Sequence, residues 1–488
     1  MQKIKIKGED KMAFTHGTYT SEVESAIKGI VTVQNPVVVV GTAPINMGDI
    51  TCVNKAQLIQ TTADATKYFG GVNNIPGFTI SEALYAAFQI FGVTPIICIN
   101  VLDPEKHKTE KSFENIAVVD GKFTFENLGI ISKSIVIKNT EGETELKDFK
   151  ISFEADGKCS IQLDAKDKAV KSVKGSYNYL DPTKVEDSDI IGSVDPSTLK
   201  VKGLECLGEI FTNYSMIPSY VITPGYNSNE VRAILDTKAT TINGKYSAMS
   251  IVDMPETTKY GEAIKYKKEN NWIDEDQIVC FGKIKFSGEY YNQSTFLAML
   301  SASIDANNSG VPYQSPSNNN IKAEGIGYKG LSEYEDIILG EQEANLLNEN
   351  GICTVISRPN GIVAWGNRTS CYQPGGNTDP KDAFIPVKRM FKYIANNLHI
   401  NCASDVDKPM TFSRAKNIQN NINIWLSSLI AQGKLLGGRV EFTEAENSQQ
   451  DLIDGKFKWH LYLGAVTPGE TLHFVLEYDG DYVKGFFS

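Results

Sequence analysis

Residues that carry chemistry are scarce in this chain. Histidine occurs five times in 488 residues. The one close His/Cys pair, His399 and Cys402, reads as a helix-end imidazole beside a buried thiol and not as a metal ligand set. The eight cysteines lie far apart, with neither metal-ligand nor redox spacing. Most sit in apolar runs such as Ile96-Ile97-Cys98-Ile99 and Ile278-Val279-Cys280-Phe281, so we read them as reduced, buried hydrophobes in a protein made in a cytoplasm. Gly-x-Ser-x-Gly is absent, which removes support for a nucleophile-elbow hydrolase. Val40-Gly41-Thr42-Ala43-Pro44 stands where a phosphate loop would follow a first strand, yet it has neither glycine-rich spacing and reads as a plain turn. Asp253 and Asp274 lie near strand ends, where α/β enzymes place carboxylates, but without a partner motif they read as capping or surface residues. The start, Met1 to Lys11, has no apolar core for a signal peptide, and no later run is long enough to span a bilayer. Acidic and basic residues are mixed, with a net charge of −11, which argues against a continuous basic surface for nucleic acid. No cofactor, metal, direct nucleic-acid contact or stable membrane insertion is therefore expected, and no enzyme activity.

Architecture, in contrast, is plentiful. In the last 50 residues Gly438 to Phe442 reads as a short strand and Glu444 to Ile453 as a short helix. Phe457 to Val466 and Thr471 to Asp479 read as longer strands. Phe457, Trp459 and Leu461 alternate with polar residues, as do Phe474, Leu476 and Tyr478, which is the period of two that marks a half-buried strand. A sheet of about three strands has exposed edges that must be covered, either by its own chain or by a strand from another copy.

The rest of the chain divides by pattern. Residues 1–34 read as an N-terminal extension and arm, with Gly17 to Val33 extended and too mixed in polarity to anchor itself. Val37-Val38-Val39-Val40 is a buried strand. Thr79 and Glu82 suggest a capping box for a helix that stops at Gly92, and Ile96 to Val101 is a second buried strand, giving a parallel α/β layer. From Asp103-Pro104 short alternating strands separated by Asp-Gly and Glu-Gly turns indicate an inserted small β-domain, residues 104–203. The α/β pattern resumes with Ser219 to Thr223, a helix at Asn229 to Thr240, Tyr246 to Val252, and a helix closed by Gly351 before Ile352 to Ile356. The core is thus 35–103 and 204–370. Amphipathic helices starting at Pro386 and Pro409 open an α+β C-terminal domain with a terminal arm, residues 371–488. The fold class is α/β and α+β multidomain, with an open C-terminal sheet.

One stretch is recognisable. Leu347-Asn348-Glu349-Asn350-Gly351-Ile352, then Arg358, Gly361 and Val363-Ala364-Trp365-Gly366-Asn367-Arg368-Thr369, followed by a helix holding Val387-Lys388-Arg389-Met390, resembles the most characteristic segment of contractile tail sheath proteins. Phe14, Gly17 and Tyr19, Gly225-Tyr226, Asp253-Met254-Pro255, Val311-Pro312 and Ala323-Glu324-Gly325 agree in order. The likeness covers roughly 13–102 and 204–488. Ala364 departs from the valine of many members, and the insert varies across the family.

The resemblance implies a structural subunit of a phage tail, a phage-tail-like bacteriocin or a related contractile injection system. Such subunits polymerise by strand exchange around an inner tail tube and contract to drive it through a target-cell envelope. Partners would be the protein itself, the tube protein, and baseplate and tail-terminator proteins, with assembly in the bacterial cytoplasm. Tyr19, Val23, Ile30 and Val33 would lie on the N-terminal arm, Phe457, Trp459 and Leu461 on the acceptor sheet, and Phe474, Leu476 and Tyr478 on its closing strand or extension. Trp365, Gly366, Arg368, Thr369 and Arg389 would be structural motif residues. The competing class is an α/β hydrolytic enzyme with an accessory β-domain, working through Asp253 or Asp274.

Overall fold

Runs of β-branched residues without a polar face can be stable only where both sides of a strand are covered, and that is where they lie. The computed structural model describes Thr32 and residues 34–487. The N-terminal arm residues Tyr19, Val23, Ile30 and Val33 fall outside the described residues. Val37–Gly41, Ile96–Asn100 and Met249–Asp253 are buried throughout. They belong to an eight-stranded sheet in the order Gly361–Trp365, Ile352–Arg358, Gln277–Cys280, Met249–Asp253, Tyr220–Ile222, Val37–Gly41, Ile96–Asn100, Ala56–Ile59. The inner six strands are parallel, and each outer strand is antiparallel to its neighbour. Helices Thr79–Tyr85, Asn229–Thr240 and Gln293–Asn307 pack on this sheet. Gln293–Asn307 is apolar on nearly every side and correspondingly buried, but for its last turns.

Thr79 and Glu82 do not form the expected capping box. Phe78 precedes the helix and supplies no side-chain cap. The Thr79 hydroxyl instead accepts from the Thr42 amide (3.1 Å), and Glu82 accepts from the backbone and side-chain nitrogens of Asn292 (2.9 and 3.0 Å). Partners distant in sequence have taken both side chains, a tertiary override of a local signal. The helix runs on through one π-turn, Ala86–Phe91, to left-handed Gly92.

Between Leu102 and Gly203 two smaller sheets share a separate core containing Phe123, Phe125, Ile137, Ile161 and Tyr177. Their longest strands, Lys108–Ala117 and Ser172–Leu180, pair with each other and were not anticipated, because Lys108–Ala117 is mostly charged or polar and has no fully buried residue. Both connections to the main body meet at His107. Its Nδ1 accepts from the Asp103 amide (2.9 Å), its carbonyl accepts from the Asp181 amide (2.9 Å), and Nε2 lies 3.1 Å from Asp189.

In the C-terminal part, helices Ile385–Asn401 and Phe412–Ala431 cover an antiparallel pair, Leu435–Glu441 and His460–Ala465. Ile418, Ile422, Trp425, Leu426 and Leu429 form the apolar stripe facing it. The expected helix from Glu444 divides into a 3-10 turn, Glu444–Glu446, and Gln449–Ile453 capped by Ser448. The third expected strand is not formed. Leu472, Phe474, Leu476 and Tyr478 are 75–95% exposed, and the segment has no ladder partner among the described residues. The cause is geometric: Pro468-Gly469 carries the chain away from its own sheet, toward the loop after Gly361–Trp365, where Glu470 meets Arg368. Phe457 and Trp459 likewise precede the strand His460–Ala465 and do not lie within it.

Candidate assembly site

The motif residues build a joint between the large sheet and the C-terminal part. Antiparallel pairing brings Trp365 opposite Thr354, and the chain then turns at Gly366. Gly366 has φ +142°, and a Cβ there would lie 3.0 Å from the Cys353 Cα, so only glycine fits without strain. The Trp365 indole N–H donates to Asn345 (2.9 Å), and its ring lies 4.7 Å from the Arg358 guanidinium. With its amide turned to suit the surrounding carbonyls, Asn348 donates to Ile352 (2.8 Å) and Trp365 (3.0 Å). The helix Glu341–Glu349 is thereby stapled to the strand that follows it. Thr369 is fully buried; its amide donates to Ala383 (3.2 Å) and its hydroxyl to the Asp382 carbonyl.

Arg368 is held differently. Its guanidinium lies over the rings of Phe384 (3.8 Å) and Tyr372 (4.1 Å) and donates through two nitrogens to Glu470, with Nε at 3.1 Å. The surrounding cleft, about 380 Å³, is lined chiefly by amides and hydroxyls, among them Ser315, Asn318, Asn345 and Asn367.

Helix Ile385–Asn401 is fixed to the large sheet by charge. Arg389 pairs bidentately with Asp305, both buried, under the ring of Tyr220 at 4.5 Å. Lys388 reaches Asp382 (2.6 Å), Lys392 reaches Asp276 (2.8 Å), and Asn396 exchanges hydrogen bonds with the Ser247 backbone (2.7 and 3.0 Å). Asp236 belongs to the same region. Burial, then the carboxylates of Asp274 and Asp276, push its pKa up to about 7.

Beyond this joint lies the unfinished sheet. An open groove of about 1050 Å³ runs between the ends of the two helices and the last strand, with Leu398, Met410, Ile418, Phe457, Trp459 and Leu461 on its wall. Phe457, Trp459 and Leu461 thus come together, while Phe474, Leu476 and Tyr478 stand apart in solvent. Sequence reasoning missed Glu470, Phe384 and Asp305. Glu470 and Phe384 are 102 and 16 positions from Arg368, and Asp305 is 84 from Arg389, so only the fold pairs them.

The two candidate carboxylates are engaged elsewhere. Asp253 accepts from the amide (2.7 Å) and hydroxyl of Ser294 at the start of helix Gln293–Asn307. Asp274 pairs with Arg232. Among the described residues no three His, Cys, Asp or Glu side chains are grouped to hold a metal, and no helix is long and apolar enough to cross a membrane.

The geometry is that of an α/β body bonded to a two-stranded sheet, with an exposed apolar segment beside it. No protein-family model matches the chain. It is 26% identical over 489 residues to the tail sheath protein of Burkholderia phage BcepMu, covering 96% of this chain and 98% of that one. It is 29% identical over 153 residues to the tail sheath protein of Escherichia phage P2, covering 31% and 37%. Its fold matches the helical sheath of the anti-feeding prophage in its contracted state, with a TM-score of 0.56 at 16% identity over 95% of this chain and 99% of the other. It also matches the contracted PVC sheath of an extracellular contractile injection system, with a TM-score of 0.56 at 14% identity over 97% and 100%. Over nearly its whole length the chain is thus similar in sequence to a tail sheath protein and in fold to two contracted sheaths.

Proposed function

We propose that the chain is the sheath subunit of a contractile tail or injection system, polymerising around an inner tube and contracting to drive that tube through a target-cell envelope. The observation that carries this reading is the two-stranded C-terminal sheet, which has an open edge, an apolar groove and an exposed alternating segment in one molecule. A strand added from a neighbour would bury those apolar side chains and satisfy the free backbone groups together. In this reading residues 1–34 and the segment after Glu470 are the exchanged arms, and residues 35–103 with 204–370 form the sheath core. Residues 104–203 are a peripheral β-domain, and 371–488 hold the acceptor sheet. A donor edge on one subunit and an acceptor on the next make a head-to-tail contact, which grows into an open helix.

Contraction then needs no nucleotide. The extended lattice is a kinetically trapped state, and repacking into a wider helix with more buried contact releases energy stored at assembly. Paired arms keep neighbours connected while the bodies rotate. A baseplate would deliver the trigger, and a terminator protein would cap the far end. Electron microscopy of the purified protein tests the reading directly: striated hollow cylinders are expected, and uniformly dispersed particles under all conditions would reject it.

A further inference from the structure

The cleft beneath the Trp365–Thr369 loop is completed by the chain's own C-terminal segment. Pro468 to Thr471 form one wall of it, opposite Asn345, Asn348 and Asn367. Glu470 is hydrogen-bonded to Arg368, a distant part of the chain, and from Glu470 to Val483 every residue is exposed. Arg368 is well prepared to hold it. Two aromatic rings fix the plane of the guanidinium, and the Arg368 side chain is only 16% exposed against 36% for Glu470, so the arginine fork is already ordered when the carboxylate arrives.

We propose that Arg368 and Glu470 form a clasp that seats the root of the C-terminal arm on the large sheet, making Glu470 the pivot about which the arm reaches a second copy of the chain. The clasp sets the direction of the arm while leaving Leu472, Phe474, Leu476 and Tyr478 exposed. Only its consequence for polymer growth rests on the sheath reading; the seating itself is a property of one subunit.

Glu470 and Glu477 provide a direct test, since a glutamate-specific protease can cut after either. In the dispersed full-length protein cleavage after Glu477 should be rapid and cleavage after Glu470 slow. Arg368→Gln should raise the Glu470-to-Glu477 cleavage ratio about tenfold, because cutting follows the population of the open form. Raising salt to about 1 M should raise the ratio in the unaltered protein and leave it flat in the variant. Should Arg368→Gln fold poorly, Glu470→Gln, read by amide exchange over residues 466–471, asks the same question. An unchanged ratio in Arg368→Gln, or equal cleavage at both sites in the unaltered protein, overturns the clasp. A subunit that never polymerises but shows the expected ratios would reject the sheath reading alone.

Discussion

Arg389 and Asp305 form a buried pair whose ring partner, Tyr220, lies on the fifth strand of the large sheet. Removing one member leaves an uncompensated buried charge. Asp305→Ala should therefore destabilise the subunit by about 3–5 kcal/mol, whereas Arg389→Met combined with Asp305→Leu should restore most of that loss. Urea unfolding followed by tryptophan fluorescence reads both. Asp236 makes the opposite kind of statement. Its pKa of about 7 lies above the ordinary 3.8, so the folded form holds the proton over a range where the unfolded form has lost it. Its contribution is present below about pH 4 and is lost as pH rises through about 7. Asp236→Asn should thus gain stability relative to the unaltered protein at pH 8 and not at pH 4; equal differences at both pH values would show that folding does not raise the pKa of this carboxyl. Lys267 behaves in the mirror sense. Burial lowers its pKa to about 8, and its ammonium donates to the Ser370 carbonyl.

At the scale of the element, legibility followed the source of each signal. Val37–Val40 and the helix Asn229–Thr240 could be read because their own side chains decide them, a continuous β-branched run in one case and a serine cap with an apolar face in the other. Lys108–Ala117 could not, since its ladder is dictated by Ser172–Leu180 and its sequence is mostly lysine, glutamate and polar residues. The Thr79–Glu82 signal was real but weaker than Thr42 and Asn292. Leu472 to Tyr478 is instructive in another way. Its alternation is that of a strand, and among the described residues no second row of backbone groups pairs with it. Removing residues 471–488 should therefore leave the folded body with a thermal midpoint shifted by no more than a few degrees, since little of that segment is buried. Long tubes should be lost. Tubes of normal length from the truncated protein would eliminate this segment as an exchanged arm. For the site, the sequence displayed Trp365, Arg368 and Arg389 but not what each one touches.

For the molecule as a whole, the residues between Leu102 and Gly203 carry their own core, and both connections converge on His107 and Asp189. We expect a version in which residues 104–203 are replaced by a short linker to fold and to build tubes of narrower outer diameter, measured by negative-stain microscopy. A folded but non-assembling product would place that domain in the lattice contacts.

The bonds along helix Ile385–Asn401 have a mechanical meaning. Arg389 to Asp305, Lys392 to Asp276 and Asn396 to Ser247 secure one rod at three successive turns. Tension entering at the tail end of such a subunit has no soft spring to stretch before it reaches the eight-stranded slab. The load would be passed on as torque on a stiff lever.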